Sequence, residues 1–415
     1  MFKLGMNNIK NFCPRAVDLF SYDNNVSSFI KYLIKNNKVT GSFRVTNLSS
    51  VESQVMLWKR QLPDVTPYYA VKCNPDPVIL NVLAKFGINF DCATQGEIHL
   101  VTEKCGVTSD RIIYANPAKM MNHLVYAINQ GVKLTVFDSK DELLKLSKIP
   151  NQKFELLLRI ATDDKNSVCR FSNKFGANPR DAENLLDCAK SLGLPVVGVS
   201  FHVGSGCGDP KTYTKSLANV ADIFEIAPRI GMPPMKIVNI GGGFPGNSIG
   251  YGGKNRPTFQ EIANIIRIEI REFHKKFPNN ADIKFIAEPG RFFAENSTII
   301  VTKVYARKGE NLQSVYVDDG VYGSFNNVIY DHATPHPSKI IFNENEDIKM
   351  INSNVFGPTC DGLDQICKAD NTLLPYCKED DWLEWQNMGA YTHTASFVFN
   401  GYTHYPDKFY CFGSN

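Results

Sequence analysis

The feature that most restricts this chain is a regular alternation. Between Thr66 and Ala287, eight short apolar runs alternate with stretches whose apolar residues recur at helical spacing. The runs cover residues 66–72, 88–92, 112–116, 134–137, 156–160, 196–203, 236–240 and 283–287. Short aliphatic and β-branched runs bounded by Gly, Pro, Asn or Asp read as strands, and their alternation with helical patterns implies parallel βα units. Helices are predicted over 51–61, 78–86, 119–129, 180–191 and 259–276, and starting near Glu97, Asp138-Ser139 and Asp209. An open doubly wound sheet would alternate in the same way. Eight units within the ~200–250 residues of a (β/α)8 barrel favour closure. The expected class is therefore α/β, with a TIM-like barrel over residues 47–290.

The placement of polar residues supports this choice. Lys72, Asp91, Asn116, Asp138, Arg159, His202, the run Gly241-Gly242-Gly243 and Glu288 all fall at or just past the ends of these strands. Barrel enzymes assemble their sites at that face. Asp138-Ser139 also reads as a helix cap. After Arg291 the alternation gives way to short strands predicted at 298–304, 314–317, 339–342 and 382–385, with turns at Asp319-Gly320 and Asn400-Gly401. Residues 1–46 and 291–415 are expected to form a separate all-β domain, to which a strand at 42–45 contributes.

Composition narrows the partners. The 415 residues carry a formal net charge of +3 and no basic block, which argues against nucleic acid and membrane surfaces. No run approaches the ~18 apolar residues of a membrane span. Residues 1–14 are polar and Asn-rich, unlike a secretory signal. Eleven dispersed cysteines without a Cys-x-x-Cys pair indicate no metal site and no redox motif. Free thiols suit a reducing compartment, so a cytoplasmic protein is expected.

The chemistry begins at Lys72, in Tyr69-Ala70-Val71-Lys72-Cys73-Asn74. Alternation puts Tyr68, Ala70 and Lys72 on one face. A lysine there is either a surface residue at a strand end or an amine kept reactive enough to bond a carbonyl covalently. Next come anion ligands at three adjacent strand ends. Glycines in Gly241-Gly242-Gly243-Phe244-Pro245-Gly246 let successive backbone N–H groups converge on an anion. Ser205, in His202-Val203-Gly204-Ser205-Gly206, adds a hydroxyl and backbone donors, and Arg291 adds a guanidinium. Glu288, in Ala287-Glu288-Pro289-Gly290-Arg291, is either an ion-pair partner of Arg291 or the partner of a protonated pyridine nitrogen. His202 is either a core histidine or a ring lying on that pyridine. Lysine, phosphate cradle and carboxylate at one barrel mouth together specify pyridoxal 5′-phosphate.

The chain resembles the eukaryotic ornithine decarboxylases, of the alanine-racemase-like fold type III group of pyridoxal phosphate enzymes. The resemblance runs from about Ser42 onward. It rests on the lysine segment, Arg159-Ile160-Ala161-Thr162-Asp163-Asp164, residues 200–206, 241–246 and 287–291, Val321-Tyr322-Gly323-Ser324-Phe325-Asn326, Gly357-Pro358-Thr359-Cys360-Asp361 and Asn387-Met388-Gly389-Ala390-Tyr391. It implies that Lys72 holds the cofactor aldehyde, Glu288 faces the pyridine nitrogen and His202 stacks on the ring. Ser205, Gly242, Gly243, Gly290, Arg291 and Tyr391 would bind phosphate, with Asp91, Glu97 and Arg159 as supporting or substrate-side groups. It also implies a head-to-tail homodimer with shared sites. Cys360 and Asp361 would come from the partner, Asp364 would pair with Lys174 across the interface, and Gly389 would lie at a close subunit contact.

The implied reaction is loss of CO2 from L-ornithine to give putrescine, the first step of polyamine synthesis. Cys360 or Lys72 would return a proton to Cα. Asp331 and Asp361 would hold the distal ammonium, with Tyr322 and Phe399 also lining the substrate. Lysine, arginine and diaminopimelate decarboxylases and racemases share the fold. A non-catalytic homologue of the antizyme-inhibitor kind is the other alternative, against which stand the intact Lys72, Glu288, Arg291 and Cys360. No residue pattern supports an antizyme-like regulatory partner. The chain ends at Asn415 without a long tail of the kind that targets vertebrate relatives for turnover. Departures from the family pattern are Asn239 for Asp, Phe292-Phe293 for a tyrosine pair, Gln386 for Glu, and two prolines in Thr334-Pro335-His336-Pro337.

Overall fold

Each of the eight runs becomes a strand in the computed structural model, and the strands close into one parallel barrel. The structure describes residues 13, 15–150, 153–246, 256–280, 282–342, 349–402 and 406–413. Most of the segment 1–14, read above as carrying no signal, lies outside them. The barrel strands are β1 (Val65–Ala70), β2 (Asn89–Cys92), β3 (Ile112–Tyr114), β4 (Leu134–Phe137), β5 (Glu155–Ile160), β6 (Val196–Phe201), β7 (Ile237–Asn239) and β8 (Lys284–Ala287). Neighbours in sequence are neighbours in the barrel, and β8 pairs with β1 to close it, Ala287 opposite Pro67.

The chain divides into two compact units, one of residues 54–292 and one of residues 1–53 with 293–415. In the first, alternate side chains point inward and fill the barrel. Ile113, Ala115, Val136, Leu157 and Ile286 form a buried cluster, with Tyr68, Leu134, Val197 and Ile237 packed on it. Outside the barrel, the Trp58 indole stacks on Phe259 and meets Phe244 and Phe292 edge-on, while its N–H donates to the Val65 carbonyl at 2.9 Å. Phe292, a departure from the expected tyrosine, is thus apolar packing. Local signals set the helix ends. Asp76 caps Pro77–Lys85, with proline at the first turn. Thr258 and Glu261 form a reciprocal capping box on Phe259–Lys276.

One local expectation needs correction, and one is narrowed to a single residue. The first strand stops at Ala70, and Lys72 lies in a 3-10 turn, Val71–Cys73. The reason is geometric. The Ala70 N–H donates to the Pro289 carbonyl beyond β8, and the Tyr69 hydroxyl donates to the Asn74 carbonyl at 3.0 Å, so the chain is drawn into a turn. In the pair Asp138-Ser139 the capping side chain is that of Ser139, and Asp138 instead accepts the Gly176 N–H at 2.8 Å.

The second unit is built on a ten-stranded sheet. Phe43–Asn47 pairs antiparallel with Thr298–Lys308, so the segment before the barrel does join this sheet. Thr298–Lys308 also pairs with Leu312–Val317 and Trp382–Trp385. Pattern reading missed the strands Met350–Phe356, Gln365–Cys367, Leu373–Pro375 and Asp407–Phe412. The first three are short or polar, and pairing rather than residue preference makes them strands. Among the described residues no helix is long and apolar enough to cross a membrane.

Candidate active site

The barrel register assembles the site. In parallel pairing, Arg159 lies level with Ser200, Ser200 with Asn239, and Asn239 with Ile286. On the other side Ala70 lies level with Asp91. Three of the inward polar residues stand two positions beyond an inward apolar one: Leu157 then Arg159, Ile237 then Asn239, Ile286 then Glu288. A dry apolar layer is therefore capped by a charged one at the C-terminal mouth.

Lys72 reaches into this layer. Its Nζ is 3.0 Å from Asp91 Oδ2, and Asp91 is 1% exposed. The other oxygen, Asp91 Oδ1, is buried without a hydrogen-bond partner. Glu288 is buried and its Oε1 accepts the Asn239 amide at 2.7 Å. That amide, and not Arg291, is its hydrogen-bond partner, which corrects the ion-pair alternative. Burial, then the charge of Asp91, raises Glu288 to about 7 against the opposing pull of Lys72 and Arg159. Arg159 is itself buried, with its guanidinium over the Phe175 ring at 5.4 Å. Burial lowers its pKa, and the charges of Glu288, Asp138 and Asp91 oppose that.

His202 closes one side. Its Nδ1 accepts the Gly204 N–H at 3.0 Å, and its ring packs against Phe171. Burial, with Arg159 and Lys72 nearby, holds its pKa well below the usual histidine value, so it is neutral. A Cβ on Gly242 would come within 2.7 Å of His202 Nε2 and 2.8 Å of the Glu288 carbonyl. Only glycine leaves that cradle open. Gly241 and Gly243 have φ of +64° and +101°, which favour glycine on backbone grounds as well. The Tyr213 hydroxyl, donating to the Gly242 carbonyl at 2.8 Å, holds the loop in place.

The remaining expected ligands in this unit sit as follows. Gly290 and Arg291 are buried, and Arg291 opens the short helix Arg291–Ala294. Ser205 exchanges both backbone hydrogen bonds with Cys169, so its hydroxyl and not its N–H is available to an anion. Glu97 accepts the Ala93 N–H and holds the loop after β2; burial raises its pKa. Lys174 lies over the Phe175 ring at 5.0 Å.

The sheet unit gathers a second group. The Tyr322 hydroxyl donates to Asp361 Oδ2, and its ring stacks on Phe399 with centroids 4.4 Å apart. The neighbouring Cys360 is exposed and its N–H donates to Asn400 Oδ1 at 3.0 Å. The Leu363 N–H and then the Tyr322 hydroxyl lower the Asp361 pKa, so it is an anion at neutral pH. Asp331 is buried at the end of Asn327–Tyr330. Tyr391 takes a left-handed conformation, φ +54°, unusual for a bulky residue.

Two expected interface residues have work inside their own chain. Asp364 is 1% exposed and accepts the Val321 N–H and both the N–H and hydroxyl of Thr359. A Cβ on Gly389 would sit 1.8 Å from the Ala294 carbonyl, so the glycine is required within the subunit. Sequence reasoning gave both an intersubunit role and did not foresee these internal ones, and it noted Asn239 without giving it a role. An amide two residues before a glycine turn was the available signal.

The residues fit the cofactor read from the sequence. An amine paired to an acid, a glycine cradle that a Cβ would fill and a buried carboxyl converge at one mouth. Comparisons agree. Residues 48–295 match the family model described as pyridoxal-dependent decarboxylase, pyridoxal binding domain. The chain is 40% identical to mouse ornithine decarboxylase over 389 residues, covering 89% of this chain and 81% of that protein. It is 42% identical to antizyme inhibitor 2 of Xenopus laevis over 380 residues, covering 88% and 80%. Among solved structures, the arginine decarboxylase of Paramecium bursaria Chlorella virus superposes with a TM-score of 0.85 at 35% identity, covering 93% of this chain and 100% of that one.

Proposed function

The chain belongs to the pyridoxal-dependent decarboxylases, in the branch that holds the eukaryotic ornithine decarboxylases, and on that footing we propose that it converts L-ornithine to putrescine and CO2. The observation that carries this reading is the barrel-mouth set of Lys72 with Asp91, Glu288 with Asn239, and the glycine cradle.

Pyridoxal phosphate, when bound, supplies an electron sink for the pair left on Cα as CO2 departs. The chain supplies the rest. Lys72 would hold the aldehyde, with Asp91 as the partner of its amine. Glu288 serves the pyridine nitrogen. The cradle with Gly242 and Gly243, the Ser205 hydroxyl, Gly290, Arg291 and Tyr391 take the phosphate, as oriented N–H groups and guanidinium do for anions. Neutral His202 can lie against the ring without adding charge. Cys360 or Lys72 delivers a proton to Cα.

The substrate choice rests on Asp361 and Asp331 with Tyr322 and Phe399. An ionised carboxylate beside stacked aromatic walls suits an alkyl ammonium, not a zwitterionic tail. In this reading Cys360 and Asp361 complete the site of a second copy in a homodimer, and Lys174 and Asp364 meet at that interface. The likeness to an antizyme inhibitor supports a rival, a binding protein without activity. The intact Lys72, Glu288, Arg291 and Cys360 favour the enzyme.

The test is CO2 release from L-ornithine, L-lysine and L-arginine side by side, together with borohydride trapping of cofactor on the Lys72 peptide. Fastest release from ornithine supports the proposal. Preference for another substrate moves the activity within the family. Trapped cofactor with no release from any of the three supports the binding-protein reading.

A further inference from the structure

Asn239 is the last residue of β7, fully buried, and engaged on both sides of its amide. Its Oδ1 accepts the Gly241 N–H at 2.9 Å, and its Nδ2 donates to Glu288 Oε1 at 2.7 Å. This orientation is fixed by chemistry. A backbone N–H can only donate, so the atom facing Gly241 is the oxygen and the atom facing Glu288 is the NH2 group. The glycine turn therefore sets which way the amide points. We propose that Asn239 is a positioning residue that obliges Glu288 Oε1 to accept a hydrogen bond and leaves Oε2 as the oxygen that exchanges a proton with the pyridine nitrogen.

The reasoning turns on what an acid at residue 239 would do. With one oxygen held by the Gly241 N–H, its other oxygen would face Glu288 Oε1, and two acceptors cannot meet without a proton between them. The pair would retain a proton where the amide requires none. Asn239 gives the glutamate a donor without adding a charge. That matters because Glu288 is already crowded: Asp91 on β2 disfavours its ionisation, while Lys72 after β1 and Arg159 on β5 favour it. Neutral His202 after β6 completes the polar surroundings. One more acid would tip the balance toward the neutral form, and a neutral carboxyl stabilises a protonated pyridine less than a carboxylate does.

This inference rests on Glu288 serving the pyridine nitrogen, and the experiment separates the two claims. The protonation of Glu288 is followed in cofactor-free protein by the infrared band of its carboxyl, identified by its loss in Glu288→Gln. In Asn239→Asp the midpoint should rise by at least one pH unit, a tenfold gain in proton affinity. In Asn239→Ser, which removes the fixed donor without adding a charge, it should rise by less. A midpoint at the parental value in either folded variant overturns the proposal. Asn239→Ser carries the test if Asn239→Asp does not fold. The pH dependence of bound-cofactor absorbance is then compared between parent and Asn239→Asp, and a shift in the same direction supports the proposal. If Glu288→Gln leaves that absorbance unchanged, the role given to Glu288 falls, and with it the part of the proposal concerning Oε2.

Discussion

Three adjacent glycines give a graded test of the cradle, and Gly242→Ala is the informative member. Its backbone is not left-handed, so alanine is tolerated there by conformation. The cost comes from contact alone. The new methyl would lie 2.7 Å from His202 Nε2, the far end of a side chain, and 2.8 Å from the Glu288 carbonyl, which is backbone. Both are well inside ordinary contact, and overpacking of this kind costs about 1–3 kcal/mol. His202 can yield by rotating, but it then leaves the face proposed to carry the cofactor ring. The loss should therefore fall on cofactor binding more than on folding. At ~2 kcal/mol it corresponds to about 30-fold weaker binding, while the cofactor-free protein should melt only a few degrees lower. Gly241→Ala behaves differently. Its φ is +64° and its Cβ would be 2.2 Å from the Phe201 carbonyl, so the barrel rim itself must shift and folding should suffer first. Cofactor titration by absorbance, with thermal melts of the cofactor-free variants, reads both effects. If Gly242→Ala binds pyridoxal phosphate as tightly as the parent, the cradle has been misplaced.

Other consequences follow from buried groups. Glu288 binds its proton more tightly folded than unfolded, so the stability it contributes is fully present below about pH 4.5 and is lost as pH rises through about 7; the difference is about 3 kcal/mol. Glu288→Gln should flatten that stretch of the stability curve of cofactor-free protein in urea, and an unaltered slope would contradict the assignment. Lys119, whose pKa burial lowers to about 8, donates to the Asn116 and Val136 carbonyls and pairs with Glu142 at 2.9 Å. Lys119→Met orphans those carbonyls while Lys145 still holds Glu142 at 2.6 Å, so a loss of about 2–4 kcal/mol in denaturant stability is expected. Asp364→Ala strips the acceptor from three donors around the Cys360–Asp361 loop, and KM for the basic amino acid should rise more than kcat falls. Equal changes in both would separate that loop from substrate binding.

How much of this was legible in the sequence depended on the kind of signal. The barrel was readable because its strands are buried on both faces, which makes them continuous apolar runs with sharp Gly, Pro or Asn borders. Leu134–Phe137 matches its predicted limits for that reason, and the helix Phe259–Lys276 starts where Thr258 and Glu261 cap it. The sheet unit was read poorly. Met350–Phe356 alternates buried and exposed residues, and its sequence Met-Ile-Asn-Ser-Asn-Val-Phe carries three polar residues in a row. Ser353, at its centre, is fully buried and receives the Gln313 amide at 2.8 Å, a partner no local pattern reveals. The same limit applied to Asp364 and Gly389. Their identity is set by close approach of segments distant in sequence, Ala294 in one case and Gly320 with Gly357 in the other.

The candidate site was more legible than the sheet because the barrel supplies its own ruler. Inward residues recur with a period of two, and parallel pairing carries the level from strand to strand. Once Leu157, Ile237 and Ile286 are assigned to the interior, Arg159, Asn239 and Glu288 must face the mouth, whatever their chemistry. The site is thus the polar end of the same stacking that fills the core. A slip of one residue in β7 would turn Asn239 outward and bring Val238, buried in the helix-facing layer, against Glu288. The carboxyl would then lose the Asn239 amide while remaining buried, a cost of about 1–3 kcal/mol, and Ile237 would leave the interior cluster. The hydrogen bond that tunes Glu288 and the packing that closes the barrel therefore select the same register.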